Sequence, residues 1–158
     1  MKYLVAAALL LGSGASAQPA PARLDARAAQ AIIAGCVAHS TGRGQSHGIA
    51  VVDAGGHLVA ALRMDGNGYG IMEFALAKAR AAAAWGFSTA DQEVGAGRTP
   101  GFARAPHVVT VPGGVSIFSA DGRERIGAVG TSGEAPPDDV ACAEAGIAAA
   151  GLRSRRAG

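Results

Sequence analysis

Between Leu24 and Ala38 the apolar positions are Ala28, Ala29, Ile32, Ile33, Cys36 and Val37. This three-four spacing places them on one side of a helix, and predicts one over Leu24 to Ala38. The period then shortens. Ile49 to Val52 is a β-branched apolar run, Asp53-Ala54-Gly55-Gly56 supplies a side-chain acceptor and two residues tolerant of positive φ, and the apolar run resumes over Leu58 to Leu62. The pair reads as a β-hairpin over Ile49 to Met64. A second, alanine-rich helix is expected from Ile71 to Trp85, with Gly86 as its stop. Ser88, Thr89 and Asp91 offer a cap for a short helix over Thr89 to Val94, which Gly95-Ala96-Gly97 should break. His107 to Val111, Val115 to Ser119 and Arg125 to Thr131 read as strands, separated by Pro112-Gly113-Gly114 and Ala120-Asp121-Gly122-Arg123. Pro136-Pro137-Asp138-Asp139 opens a last helix through Leu152.

The order is helix, two strands, helix, three strands, helix. Hairpin-length links make the sheet antiparallel, so the class is α+β with about five strands and helices packed mainly on one face. The other face must then be polar or meet another subunit.

The first residues stand apart. Lys2 gives a positive start, Leu4 to Leu11 is apolar, and Ala15-Ser16-Ala17 has the small residues of a cleavage site. That is the pattern of a secretory signal peptide over 1–17, whose apolar core is too short for a stable membrane anchor. An extended leader over 18–23, a domain over 24–152 and a basic tail over 153–158 complete the division. The mature chain has about 140 residues, the size of one domain, and the expected location is periplasmic or secreted.

Composition removes one class of partner. The formal net charge is +2, and basic residues are scattered apart from Arg153, Arg155 and Arg156. Without a basic stripe or an aromatic platform, nucleic acid is not expected. The two cysteines, Cys36 and Cys142, form no CxxC, haem-attachment or zinc pattern. An exported compartment permits a disulfide. However, Cys142 at helical spacing points away from the direction shared by Val140 and Ile147, which favours two separate, partly buried thiols.

Asp53-Ala54-Gly55-Gly56-His57-Leu58, Arg63-Met64-Asp65-Gly66, Lys78-Ala79-Arg80, Pro112-Gly113-Gly114 and Ile126-Gly127-Ala128-Val129-Gly130 occur in that order. In this the chain resembles the GlcG/HbpS-like haem-binding proteins, which are related to the C-terminal domain of PduO-type adenosyltransferases. The resemblance runs from about Ile32 to Ala150. It implies a profilin-like, PAS-like layer, self-association as dimers to octamers, and binding, sometimes degradation, of haem. The chain departs from the family pattern at Thr131, where valine is common, and at His107, where an aliphatic residue is usual.

A b-type haem site needs an apolar slot, an axial ligand and a cation near the propionates. Among His39, His47, His57 and His107, His107 is the first choice as iron ligand, because it follows Arg104-Ala105-Pro106 beside the Gly97-Arg98-Thr99-Pro100 loop. The competing reading is a surface histidine. His57 sits past a hairpin tip, His39 ends a helix, and His47 opens a strand from a loop. Met64 reads as core. Arg98 and Arg63 could pair propionates in a two-point fork, as could Arg80. Lys78, the only lysine after the signal peptide, is a further candidate, although a solvated helix face explains it better.

No G-x-S-x-G, H-E-x-x-H or P-loop is present. The expectation is an exported haem- or tetrapyrrole-binding protein that self-associates. A small enzyme acting on haem or an organic acid in the same pocket, or a non-catalytic interaction module, are the alternatives. The export reading predicts that the intact mass of the exported protein begins at Gln18. A cytoplasmic chain retaining Met1 contradicts it.

Overall fold

The computed structural model describes residues 22–158, so the stretches expected to be a signal peptide and most of a leader lie outside the described residues. Its elements are α1 (Ala26–Thr41), β1 (Gly48–Asp53), β2 (Leu58–Arg63), α2 (Tyr69–Trp85), α3 (Thr89–Arg98), a 3-10 turn (Phe102–Arg104), β3 (Gly114–Phe118), β4 (Arg125–Ser132) and α4 (Pro136–Ala149). The strands form one antiparallel sheet in the order β2-β1-β4-β3. This is the α+β layer that the hydrophobic pattern implies, with four strands instead of about five.

The missing strand is His107 to Val111. His107 has φ 60, the left-handed region that interrupts a strand, and Pro106 and Pro112 bracket the segment. The backbone N–H of Val109 donates to Gln92 Oε1 on α3 at 3.0 Å, so the segment is tied to a helix instead of the sheet. Helix α3 is longer than expected and runs through Gly95 and Gly97 to Arg98. Ser88 caps it by accepting from Asp91 N–H, and Gly95 faces the Phe102 ring, where a Cβ would sit 3.1 Å from the ring.

The two faces of the sheet are packed by different means. On one, Ile49, Val51, Val115, Ile117 and Val129 meet Ala29, Ile32 and Cys36 of α1 and Cys142, Ala143 and Ile147 of α4. On the other, Ala50, Val52 and Ala128 meet Ala75, Ala79, Ala82 and Ala83 of α2. Two long helices thus share a face, and α2 covers the face expected to be polar or intersubunit. Its alanines permit a very close approach: a Cβ on Gly130 would collide with the Ala75 carbonyl and lie 2.5 Å from Ala79 N. Small side chains on both partners replace interdigitation with backbone proximity, which maximises dispersion contact over a short distance.

Cys36 and Cys142 form a disulfide, with Cα atoms 4.6 Å apart, joining α1 to α4. The expectation of two separate thiols is corrected, and the reason lies in the stripe of α4. Its buried residues are Asp139, Cys142, Ala143, Gly146 and Ile147, a regular three-four face carried by small and charged residues. Val140, which suggested another direction, is only half-buried. Gly146 sits against Ile32 of α1, where a Cβ would be 3.1 Å from the Ile32 side chain, and this lets the helices come close enough to bridge. The bridge spans 106 residues of sequence. Replacing both cysteines by alanine should therefore cost roughly 2–5 kcal/mol, measured by urea unfolding. A loss below about 1 kcal/mol would show that helix packing alone holds the pair.

Candidate functional site

Helix α2 carries Lys78 toward the end of the sheet rather than into solvent. Its side chain is 1% exposed, and its Nζ donates to Asp139 Oδ2 at 2.8 Å and to the Thr131 carbonyl at 3.0 Å. The Phe74 ring lies 4.9 Å from the same ammonium. The solvated position expected for Lys78 is corrected, and the sequence provides the opening that makes burial feasible. A Cβ on Gly113 would lie 2.8 Å from Nζ, so Pro112-Gly113-Gly114 is the gap through which a lysine on one side of the sheet reaches a carboxylate on the other.

Asp139 belongs to the first turn of α4, where the helix dipole favours a negative charge. Its Oδ1 accepts from the Glu134 N–H at 3.2 Å and lies 3.4 Å from His47 Nε2. Burial pushes its carboxyl above the ordinary range, and the hydrogen bond and charge of Lys78 oppose that shift. The Thr131 hydroxyl is 2.5 Å from the Asp139 carbonyl and 3.2 Å from the Gly113 carbonyl, so this buried polar side chain has its partners. His47, expected at the mouth of a loop, is fully buried. Ser40 Oγ donates to the Cys36 carbonyl at 2.9 Å and lies 2.9 Å from His47 Nδ1. Nδ1 thus meets the Ser40 hydroxyl, and Nε2 faces the Asp139 carboxylate without a formed hydrogen bond. Burial lowers the His47 pKa, with the charge of Asp139 opposing. Lys78, Asp139, His47, Ser40 and the disulfide therefore lie in one buried row from α2 to α1, in which the His47–Asp139 step is a contact and not a hydrogen bond.

The remaining site candidates lie elsewhere. His107 is exposed in the loop before β3, and Arg98 is exposed in the last turn of α3. Arg63 ends β2, and its Nη1 donates to the Asn67 carbonyl. Among the described residues no hydrogen bond or ion pair joins any two of His107, Arg98, Arg63 and Lys78. His57 is exposed and pairs with Asp53, its Nδ1 3.2 Å from Oδ1, which stiffens the hairpin turn. Of the other two, Arg80 is exposed with its Nε 3.4 Å from the Gly56 carbonyl, and Met64 Sδ accepts from the His47 N–H at 3.4 Å.

An aromatic cluster accompanies the His107 loop. Trp85 meets Phe102 edge-on with centroids 5.0 Å apart, and Phe87 lies 6.2 Å from Trp85 and 6.5 Å from Phe102. Trp85 Nε1 donates to the Pro106 carbonyl at 3.0 Å, anchoring the backbone one residue before His107. The indole is still 37% exposed, and Arg98 and Arg104 are exposed on the segment that carries Phe102. Sparse aromatics hid this cluster in the sequence, since Phe102 joins Trp85 and Phe87 only through the fold. No group of three or more histidine, cysteine or acidic side chains among the described residues could hold a metal ion. No helix among them is long and apolar enough to cross a membrane.

The comparisons place this arrangement among known folds. Residues 24–148 match the family described as haem-degrading protein HbpS-like. A structure of a PduOC–haem complex superposes with a TM-score of 0.75 at 23% identity, covering 85% of this chain and 100% of that one. A double mutant of HbpS from Streptomyces reticuli gives 0.73 at 26% identity, covering 91% and 97%. Klebsiella pneumoniae protein ORFY gives 0.73 at 22% identity, covering 85% and 97%. No curated protein matches the chain significantly.

The buried histidine generates a pH test. Because its folded pKa lies below the ordinary value of 6.5, its contribution is present above that pH and is lost as pH falls below it. Asp139, shifted the other way, contributes below its ordinary pKa and loses that contribution as pH rises through the folded value. Comparing the wild type with His47→Gln separates the two, since Asp139 is common to both. Urea midpoints between about pH 7.5 and 5.5 should fall more steeply for the wild type, by up to about 1.4 kcal/mol per pH unit. Parallel curves would contradict the burial of a neutral His47.

Proposed function

Because the chain belongs to the HbpS-like family of haem-degrading proteins, we propose that it is an exported haem- or tetrapyrrole-binding protein that self-associates. The observation that carries the reading is the aromatic cluster beside His107, half-buried at Phe87 and Phe102 and reaching the surface at Trp85, within the residues that match the family. A porphyrin needs an apolar face, a nitrogen donor able to reach iron, and cations for its propionates. Trp85 and Phe102 supply the first, His107 the second, and Arg98 with Arg104 the third. His107 is exposed, and its left-handed backbone, costing about 1 kcal/mol, points to a conformation kept for a purpose. Lys78 does not fit the propionate role, since its ammonium is committed to Asp139 and Thr131. Arg63 is exposed, but its guanidinium is directed to its own loop. Haem, when bound, supplies the iron chemistry; these residues orient it and cover one face.

The aromatic surface is open, so a second copy would complete the slot. Self-association has support of its own. Strand β2 is a sheet edge of six residues without proline, and Leu58 and Leu62 on it are 50% and 39% exposed. An apolar, unprotected edge invites pairing. Export is supported by the N-terminal pattern and by the buried disulfide, which an oxidising compartment maintains.

Haemin titration of the mature chain should give saturable binding with a shifted Soret band. His107→Ala should move the Soret maximum and weaken binding, because iron loses a nitrogen donor. Arg98→Ala should weaken binding several-fold with the band unmoved, and His57→Ala should change neither. An unchanged spectrum for His107→Ala with a changed one for His57→Ala would transfer the site to the hairpin. Loss of the haem spectrum on adding a reductant in the presence of dioxygen, and not in its absence, would assign turnover, as the family's description suggests. On size exclusion with light scattering, the protein should run as a dimer or larger at micromolar concentration; a monomer would remove the second copy from the site.

A further inference from the structure

Strand β3 is the other edge of the sheet, and its outer side is only partly closed. The Thr131 N–H donates to the Gly113 carbonyl, which fixes residues 113, 115 and 117 as those bonding β4. By the alternation of an antiparallel ladder, the backbone groups of Gly114, Ser116 and Phe118 point outward. Gly114 N–H donates to Thr89 Oγ1 at 2.9 Å. Phe118 exchanges both of its hydrogen bonds with Arg153 of the C-terminal tail, at 2.8 and 3.1 Å. Between them the N–H and C=O of Ser116 have no partner among the described residues. The Ser116 hydroxyl is also buried without a partner, in a side chain whose residue is 4% exposed. Buried polar groups are almost always paired, so three unmet groups on one residue mark a place built for something else.

Ser116 lines a cavity of about 380 Å³. Phe87, Phe118 and Val140 give it apolar walls, and Asp91, Glu144, Arg155 and Arg156 bring both signs of charge to its lining. Glu144 has no ion-pair partner among the described residues, and the Arg156 guanidinium lies 5.8 Å from the Phe118 ring centroid. A donor and an acceptor at peptide spacing, an apolar wall and side chains of both charges describe one class of ligand.

We propose that this cavity binds a zwitterionic peptide of about two residues. Its amide pairs with the Ser116 backbone, its ammonium faces Glu144, and its carboxylate faces Arg155 and Arg156. Thr89 and Arg153 close the flanking positions, so a longer strand cannot add to this edge. The cavity shares Phe87 with the aromatic cluster, but its polar groups are distinct from His107, Arg98 and Arg104, and its test uses no haem.

The probe is alanyl-phenylalanine, titrated by calorimetry and by amide NMR on the mature protein. Saturable one-to-one binding should appear, with the largest shifts at Ser116, Phe87 and Glu144. Blocking the amino group by acetylation, or the variant Glu144→Gln, should weaken binding by about tenfold. The double variant Arg155→Ala/Arg156→Ala should do the same. Ser116→Pro should abolish binding while keeping the fold, since proline is tolerated where a strand N–H faces outward. If that variant does not fold, the Glu144 and arginine variants decide. No saturation at millimolar peptide, or shifts centred elsewhere, or affinity indifferent to Glu144 and the two arginines, would overturn the proposal.

Discussion

A buried lysine on one side of a sheet and a buried aspartate on the other set the terms for this fold. Removing two charges from water is expensive, and the expense is offset only when each finds good geometry and further hydrogen bonds. Lys78 has a carboxylate and a carbonyl, and Asp139 has an ammonium, a backbone N–H and the start of a helix. To meet, they need a gap at the end of β3 and β4, which Gly113 and Gly114 leave open. The pair therefore requires the glycines, the close approach of α2, and the position of the first turn of α4. His47, Ser40 and the Cys36–Cys142 bridge extend the same line to α1. Helices on opposite faces of the sheet are thereby joined through one buried contact.

That frame bears on function by what it leaves free. The ordered chain of groups runs along one end of the sheet, and the exposed aromatic and basic residues sit on α2, α3 and the loop before β3. A binding surface on loops is precise only if the elements beneath it do not move. Trp85 is the link: it closes α2, holds the Pro106 carbonyl and meets Phe102.

Much of this could be read from the chain, because periodicity reports which side of an element is apolar. It located the hairpin, both strands after Gly113, and all four helices within a few residues. It failed where small or charged residues carried the burial. Alanine contributes little to an apolar pattern, so the alanine face of α2 did not declare the second covered side of the sheet. Asp139 read as part of a helix start, and does sit at one, but nothing local reveals a lysine 61 residues away. The α4 stripe of Asp139, Cys142 and Gly146 hid the disulfide for the same reason. His107 to Val111 looked like a strand from its valines, yet hydrogen bonding to Gln92 and a left-handed residue decided otherwise. Among the site residues, the sequence singled out exposed His107 and Arg98, whereas the partners of Lys78 and the aromatic cluster are assembled only by tertiary contact.

The dependence of the fold on the buried pair is tested most directly by a double-mutant cycle in urea unfolding. Lys78→Met alone should cost roughly 3–5 kcal/mol, because Asp139 is left charged and buried without its partner. Asp139→Leu alone should cost a similar amount, and the double variant should recover much of the loss, giving a coupling of more than about 2 kcal/mol. Losses that simply add, to within about 0.5 kcal/mol, would contradict the account and leave the alanine packing of α2 as what holds the layers together.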